Sequence, residues 1–360
     1  MKRNGTIEVL RFVFSIMIMM LHFTKDNIWP YEKFNFAGGG ISVEFFFLVS
    51  GWLFAKSLDK VRTTEHIGTE TIRFMRRKIG GIYPEYIVAW VESFIVVHVA
   101  SHLLIPSKMV RDFLEGLAEL LLLRNAGLGS VRFIRGSWYI SAMMLAMFIL
   151  FPIAVRNKER FFCIIAPLVF VFMTGINFTQ FGKLRTLQGL ALGFINSGLI
   201  RAFAEICLGC VCYQLSTKLA SGNYSKKTRM LFSIIEMMCY LFTLLFIIYL
   251  DGHLKEEGVK LDFAVLLMLA AGVTISFSGI SIWAEFLNNP LSYFLGKISF
   301  PLFLGHGAII LFLIAGPFHF EGLKNFVMFL LLAMANACMI MFAGKLLRKH
   351  GITFIKKILF

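Results

Sequence analysis

Ten long apolar windows constrain the fold of this chain more than any other feature of its sequence. Each is close to or above the length of about 17–25 residues that a helix needs to cross about 30 Å of hydrocarbon. The chain is 58% hydrophobic and 16% charged, and its mean hydropathy is +0.76, outside the usual range of soluble globular proteins. The sequence therefore predicts an all-α fold, a polytopic membrane helix bundle of about ten transmembrane helices. The windows lie near 7–24, 40–58, 82–105, 137–155, 161–176, 200–215, 230–250, 263–279, 298–315 and 326–347.

The segments that separate the windows are too short for a soluble domain. The longest, 106–136, contains RDFLEGLAELLLLR at 111–124, which is too short and too acidic to span a bilayer and predicts an interfacial or re-entrant helix. The sequence shows no internal repeat, so we expect one integral-membrane domain over residues 1–360. The first window lacks the small-residue cleavage site of a signal peptide, which predicts that it stays as a signal anchor.

The positive charge of the chain follows the windows in a regular way. The net charge is +15, and the basic residues concentrate at 2–3, 60–78, 156–160, 218–229 and 345–357. The positive-inside rule places those segments, and with them both termini, in the cytoplasm. This placement accounts for most of the charge, so we expect no nucleic-acid partner. The segment between the third and fourth windows departs from the rule, because it is predicted to lie outside and is still basic. Its basic residues are Lys108, Arg111, Arg124, Arg132 and Arg135.

The six cysteines all lie in apolar segments. The sequence CLGCVC at 207–212 superficially resembles a metal or redox motif. No histidine lies beside it, and small residues at such spacing are typical of contacts between membrane helices. We therefore expect these cysteines to pack helices together, and we expect no metal site.

The first window carries a polar stripe. Arg11 and His22 are eleven residues apart, which brings them to within about 20° of one helix face and about 16 Å apart along the axis. Glu8 and Ser15 fall within about 60° of the same face. Ionisable groups in hydrocarbon are costly, so the stripe predicts a polar cavity inside the bundle. The alternative is that Arg11 snorkels to the inner headgroups and that His22 lies at the outer interface.

Four motifs, in order along the chain, resemble those of one family. Arg11 and His22 in the first window precede GGISVEFFFLVSGWLF in the second window; the later segments are RFMRRKIGGIYPEY (73–86), SWYISAMMLAMFILFP (137–152) and ISFPLFLGHGAII (298–310). Together they resemble the membrane-bound acyltransferase-3 family, whose members O-acylate cell-surface sugars. The resemblance covers nearly the whole chain. Three positions depart from the family pattern: Gly81 replaces an arginine, Phe303 a tyrosine, and Met143 the glutamate of many relatives.

The resemblance implies an O-acyltransferase. Such an enzyme takes an acyl group from cytoplasmic acyl-CoA, with acetyl-CoA as the default donor, and delivers it to a hydroxyl of an envelope or exported polysaccharide. The implied partners are the lipid bilayer, a glycan acceptor and the polysaccharide biosynthesis machinery, in the plasma (inner) membrane of a bacterium. His22 would be the general base. Arg11 would bind the donor, together with the basic run that precedes the third window. That run comprises Arg73, Arg76, Arg77 and Lys78, and plain positive-inside anchoring would also explain it.

Further candidates come from the later motifs. Glu44 in the second window needs a partner, and either Arg11 or His22 would serve, so Glu44 is expected to orient His22 or to form a structural salt bridge. Ser50 and Trp138 are expected on the substrate side, although Trp138 could equally belong to an interfacial aromatic belt with Trp29 and Trp283.

Two further expectations concern the ninth window and the glycines before the second window. His306 is expected in a cavity or donor-site role, nearer the cytoplasm than His22. Gly38, Gly39 and Gly40 could let backbone approach a substrate, but a plain loop is the alternative.

A transporter is the competing hypothesis for the whole chain. In that case Arg11, Glu44 and His22 would form a proton relay. Transporters often have two halves with helices interrupted at matching positions, and the sequence shows no such internal symmetry.

Overall fold

The computed structural model describes residues 3–25, 36–61, 65–102, 104–128, 131–185, 189–251, 261–315 and 322–359. Within these ranges the chain is almost entirely helical, as the apolar windows predict. The helices are α1 (Gly5–Lys25), α2 (Ser42–Leu58), α3 (Ile67–Ala100), α4 (Pro106–Leu120), α5 (Ser137–Arg156), α6 (Lys158–Phe181), α7 (Ser197–Ala220), α8 (Lys226–Leu250), α9 (Asp262–Ser278), α10 (Trp283–Leu287), α11 (Pro290–Ala315) and α12 (Gly322–Leu359). A two-stranded antiparallel ribbon, β1 (Leu190–Ala191) with β2 (Ile195–Asn196), is the one strand pair in these ranges.

The predicted spans are present as helices. Nine helices of the described chain are long and apolar enough to cross a membrane, and the tenth expected span is the 17-residue apolar helix α9. The prediction of an all-α polytopic membrane protein is confirmed. The main difference is α3, which begins at Ile67, well before the window near 82. Its first turns are charged and pair Glu70 with Arg73 one turn apart, so helix continues where hydropathy falls.

The short helix predicted within 106–136 is also present. It is α4, which begins with Pro106 in its first turn and ends at Leu120. Glu119, in its last turn, is buried and accepts hydrogen bonds from the backbone N–H groups of Phe133 (2.7 Å) and Ile134 (3.3 Å) and from the hydroxyl of Ser137. Burial raises the pKa of this carboxyl, and the three donors partly oppose the rise. Glu119 therefore fixes the segment that leads into α5.

Small residues let α2 and α7 pack closely. A Cβ added at Gly51 would lie 2.2 Å from the Ile206 carbonyl oxygen, and one added at Gly209 would lie 2.4 Å from the Leu48 carbonyl oxygen. The Cys210 thiol lies 3.6 Å from the carbonyl oxygen of Gly51 in the same contact. The prediction that the CLGCVC segment packs helices is confirmed, because backbone approach of this kind needs small side chains on both helices.

The three glycines before α2 are also packing residues. They belong to a 3₁₀ turn, Ala37–Ile41. A Cβ at Gly38 would lie 2.7 Å from the Ile247 Cα, and one at Gly39 would lie 2.6 Å from the Leu21 Cβ. Gly38 and Gly39 therefore press against α8 and α1, and the idea that their backbone meets a substrate is wrong for these two positions.

An arginine joins the connections near this glycine turn. Arg185, after α6, lies 2.5 Å from Asp251 at the end of α8 and 2.8 Å from Asp262 at the start of α9. Burial lowers the pKa of its guanidinium, but the two carboxylates outweigh burial, so the net shift is upward. Arg185 also donates to the carbonyl of Ala37 at 3.5 Å, and the ends of three helices are thereby tied to the turn that begins α2.

Candidate active site

The polar face of α1 packs against α11. Glu8, Ser15 and His22 are spaced seven residues apart, and a seven-residue repeat keeps one face of a helix turned toward its neighbour. A Cβ at Gly296 would lie 1.7 Å from Glu8 Oε2, and the Ser15 hydroxyl donates to the Ser299 carbonyl at 3.1 Å. His22 meets the same helix farther along. The two helices therefore run parallel, and the predicted cavity is at these positions a helix–helix contact.

His22 and His306 form a hydrogen-bonded pair between α1 and α11. Nδ1 of His22 lies 2.7 Å from Nε2 of His306, and Nδ1 of His306 lies 2.7 Å from the carbonyl oxygen of Phe303. Since a carbonyl oxygen only accepts, Nδ1 of His306 carries a proton. With both rings neutral, Nε2 of His306 accepts from Nδ1–H of His22, and the lone pair of His22 is on Nε2. This tautomer is the one that a general base requires.

The position of His306 corrects one expectation. Its place near the start of the ninth window predicted a position nearer the cytoplasm than His22, but the direct contact puts the two rings at the same depth. The reason is that α11 begins at Pro290, eight residues before the apolar window near 298, so His306 lies in the second half of the helix. His306 is almost fully buried, whereas His22 is half-buried. Of the two rings, His22 is the one that can meet a substrate.

Arg11 lies on α1, eleven residues before His22. Its Nη1 lies 3.1 Å from Glu8 Oε2, and the other oxygen of Glu8 lies 3.1 Å from Nε of Arg3. The Arg11 side chain is 29% exposed while that of Glu8 is 9% exposed. Glu8 thus holds Arg11 in place by one contact, and a planar guanidinium has donors left over for a second anion.

Glu44 corrects a second expectation. Its carboxylate lies 2.7 Å from Nη2 of Arg201 on α7, so the partner is neither Arg11 nor His22. Glu205, one turn farther along α7, lies 3.5 Å from Nε of Arg201. All three side chains are at most 1% exposed. An ion cluster of this burial stabilises only while it is complete, because removing one member leaves an uncompensated charge. Glu44 is therefore part of the α2–α7 contact and does not touch the histidines.

Trp138 lies against this cluster, and Ser50 bonds to the next residue along α5. The Arg201 guanidinium lies 5.1 Å from the centre of the Trp138 ring, within cation–π range, and the ring is half-buried. Ser50 bonds to the hydroxyl of Tyr139 at 3.1 Å. Trp138 and Ser50 thus belong to one α2–α5–α7 neighbourhood. Of the other tryptophans, Trp29 lies outside the described residues.

The arginines of the basic run on α3 are on the surface, and Lys78 is half-buried. Arg76 and Arg77 are exposed, Arg73 pairs with Glu70, and Lys78 lies 5.8 Å from the ring centre of Phe74. This arrangement fits both binding of the acyl-CoA phosphates and anchoring of the topology, so the role of the run in donor binding stays a prediction.

Three further residues near the site were given no functional role from the sequence. Arg201 and Glu205 have the spacing of a helical ion pair inside the apolar window 200–215, which was signal enough to single them out. Arg135 lies against Gly307, where an added Cβ would be 2.9 Å from Arg135 Cγ, and it interacts electrostatically with His306. Its signal was its place in a basic segment on the predicted outer side.

Comparison with known families identifies the domain that contains these residues. A family model described as an acyltransferase domain, Acyl_transf_3, matches residues 4–344. The chain belongs to the acyltransferase-3 family. The match spans nearly the whole chain and both histidines, and it makes the chain a multi-pass membrane acyltransferase. Comparisons with curated proteins and with solved structures returned no significant match.

The three departures from the family pattern have local explanations in this acyltransferase. Phe303 packs against Gly136, where an added Cβ would lie 2.7 Å from its ring, so a larger side chain has little room. Met143 receives a weak hydrogen bond from Tyr139 at 3.6 Å. The carbonyl of Gly81 accepts from Arg348 on α12 at 2.8 Å, so an arginine reaches this site from another helix.

Proposed function

We propose that this acyltransferase transfers an acyl group, acetyl by default, from cytoplasmic acyl-CoA to a hydroxyl of an envelope or exported polysaccharide. The observation that carries the proposal is the hydrogen-bonded pair of His22 and His306, in which the half-buried ring has its lone pair on Nε2. A neutral imidazole so oriented can take a proton from a sugar hydroxyl, since its ordinary pKa lies near operating pH.

His22 alone can carry out both proton transfers of the acyl-transfer step. The acceptor hydroxyl gives its proton to Nε2 of His22 while its oxygen attacks the thioester carbonyl carbon. The carbon–sulfur bond then breaks, and the imidazolium returns the proton to the departing sulfur, so that free CoA and the O-acyl ester are the products. His306 supports this cycle as a positioning residue, because Nδ1–H of His22 keeps the same acceptor throughout and the ring cannot rotate.

The donor is proposed to reach His22 from the cytoplasmic side. Arg11 lies three helical turns before His22, about 16 Å along α1, and an extended pantetheine arm is of that order of length. The guanidinium of Arg11 would bind a donor carbonyl or phosphate, and the exposed Arg76 and Arg77 would bind nucleotide phosphates together with Arg73 and Lys78. Both termini are cytoplasmic in this proposal, in a bacterial plasma membrane, and the glycan acceptor meets the half-buried face of Trp138, near Ser50.

Purified protein in liposomes tests the proposal directly. Labelled acetyl-CoA should give an O-acetylated oligosaccharide, and Arg11→Ala should raise the KM for acetyl-CoA by about tenfold or more, since a charge-assisted contact is lost. Arg160→Ala is the matched control, because Arg160 is an exposed cation at the start of α6 and should leave that KM unchanged.

Two results would overturn the assignment. One is an absence of both acyl-CoA binding and transfer, with movement of a solute across the liposomes, which would favour the transporter. The other is an equal rise in KM for Arg160→Ala, which would show that Arg11 has no specific role in donor binding.

A further inference from the structure

Two of the cations in the basic segment between α3 and α5 are paired locally. Arg111 lies 3.6 Å from Asp112 and 3.9 Å from Glu115. Arg124 donates to the Ser137 hydroxyl at 2.8 Å and lies 4.0 Å from Glu119. These contacts account for two of the cations by local pairing.

Arg132 is not accounted for in this way. It is exposed, and it has no acidic partner among the residues that the structure describes. One charged neighbour of Arg132 is another cation, Arg124, with which it interacts electrostatically. Like charges repel each other, so folding alone gives no reason for a cation at this position.

Arg135 brings the same segment to the histidine pair. Its Cβ, Cγ and Cδ lie within 2.9–3.1 Å of where a Cβ at Gly307 would be, one residue after His306. The next residue of the segment, Gly136, packs with equal closeness on the Phe303 ring. Only glycine at 307 leaves room for the arginine stem, so the side chain is held across α11 beside His306.

Arg135 thus lies beside the histidine pair, and the exposed Arg132 lies three residues before it, with Trp138 three residues after it. The segment also breaks the positive-inside rule, which lowers the chance that topology alone explains its charge. Guanidinium groups on a half-open surface bind carboxylates and phosphates through paired N–H donors, and they raise the local concentration of anionic substrates.

We propose that the acceptor of this enzyme is an anionic glycan, whose carboxylate or phosphate binds Arg135 and Arg132 while its hydroxyl lies at Nε2 of His22. The proposal rests on the proposed function and names its substrate class. The two cations bind the acceptor and leave the donor untouched, so their loss changes acceptor binding alone.

Equilibrium binding to the purified, full-length protein tests the charge preference apart from catalysis. The probes are three fluorescent tetrasaccharides of the same linkage, one of glucuronate, one of glucose bearing a phosphate, and one of unmodified glucose. We expect one of the anionic probes to bind at least tenfold more tightly than the neutral probe. That preference should shrink in high salt, since exposed charges are screened.

The variants test the assignment to these two residues. Arg132→Ala and Arg135→Ala should each weaken binding of the preferred anionic probe by about tenfold, with the neutral probe and acetyl-CoA unaffected. Arg135→Lys should recover part of the binding, because lysine retains the charge but not the paired donors. Lys108→Ala is the matched control, since Lys108 is a half-buried cation at the start of the same segment, and its loss should change nothing.

The outcomes separate this inference from the function on which it rests. Equal binding of all three probes, or equal losses in Lys108→Ala and Arg135→Ala, would overturn the anionic acceptor, and acyl transfer to the neutral probe would then leave the enzyme assignment standing. Tight anionic binding that depends on Arg135, with no acyl-CoA binding, would support the anion site and refute the acyltransfer mechanism. The anionic probe that binds more tightly shows whether the acceptor group is a carboxylate or a phosphate.

Discussion

The His22–His306 pair and the Glu44–Arg201–Glu205 cluster are both polar contacts between apolar helices, yet they differ in charge and access. The histidines can bond while uncharged, and His22 remains half-buried. The cluster joins a guanidinium to two carboxyl groups, and each side chain is at most 1% exposed. Polarity inside a membrane bundle therefore does not by itself identify an active site. A site also needs a group that a substrate can reach and that can change its protonation state.

The largest expected effect is on the rate of acyl transfer. His22→Ala should lower acyl transfer by about 10²–10⁴-fold, because the general base is lost. Folding and acyl-CoA binding should be retained, since His22 is only half-buried and alanine leaves no buried charge. The measurement is the rate per folded molecule, with His98→Ala as the control. His98 is a fully buried histidine on α3 that bonds to the Phe94 carbonyl and lies 3.3 Å from Asp112 on α4. Normal transfer by His22→Ala would show that the histidine pair, like the Glu44–Arg201–Glu205 cluster, has no catalytic role.

The next effect should be on folding. Arg201→Ala should destabilise the protein by about 3–5 kcal/mol, because Glu44 and Glu205 would be left buried without their cation. Thermal unfolding in detergent measures this loss. The triple variant Glu44→Leu/Arg201→Met/Glu205→Leu should be closer to wild type than Arg201→Ala, since it removes all three charged groups together. An Arg201→Ala protein of unchanged stability that has lost transfer would place the cluster in the active site and break the comparison.

The smallest effect should come from the partner of the base. His306→Ala should lower kcat by about tenfold, the size expected when one oriented hydrogen bond is lost, with the KM for acyl-CoA unchanged. His306→Gln should recover part of the rate, because its amide oxygen can accept from Nδ1–H of His22. A loss as large as that of His22→Ala would show that His306 takes part in proton transfer itself.

The sequence pointed to His22 and His306 separately but not to their contact, and it pointed to Glu44 but not to Arg201. The seven-residue spacing of Glu8, Ser15 and His22 was visible, but its partner helix lies 284 residues away in the chain at the histidine contact. Glu44 needed a cation, and the two nearest in the sequence-based argument, Arg11 and His22, were preferred over Arg201. That choice was wrong because helix neighbours in a bundle are set by packing of small residues, here Gly51 against Gly209, and not by order in the chain.

The sequence by itself determined the all-α membrane architecture, the helical elements and the two residues of α1 on which the proposal depends. Hydrophobic length and helical periodicity are local properties, so they can be computed from neighbouring residues alone. Only the tertiary structure decided that His22 bonds to His306, that Glu44 belongs to Arg201 and that Arg135 lies beside Gly307. These contacts join residues far apart in the chain, and their geometry depends on which helices lie side by side and in which register.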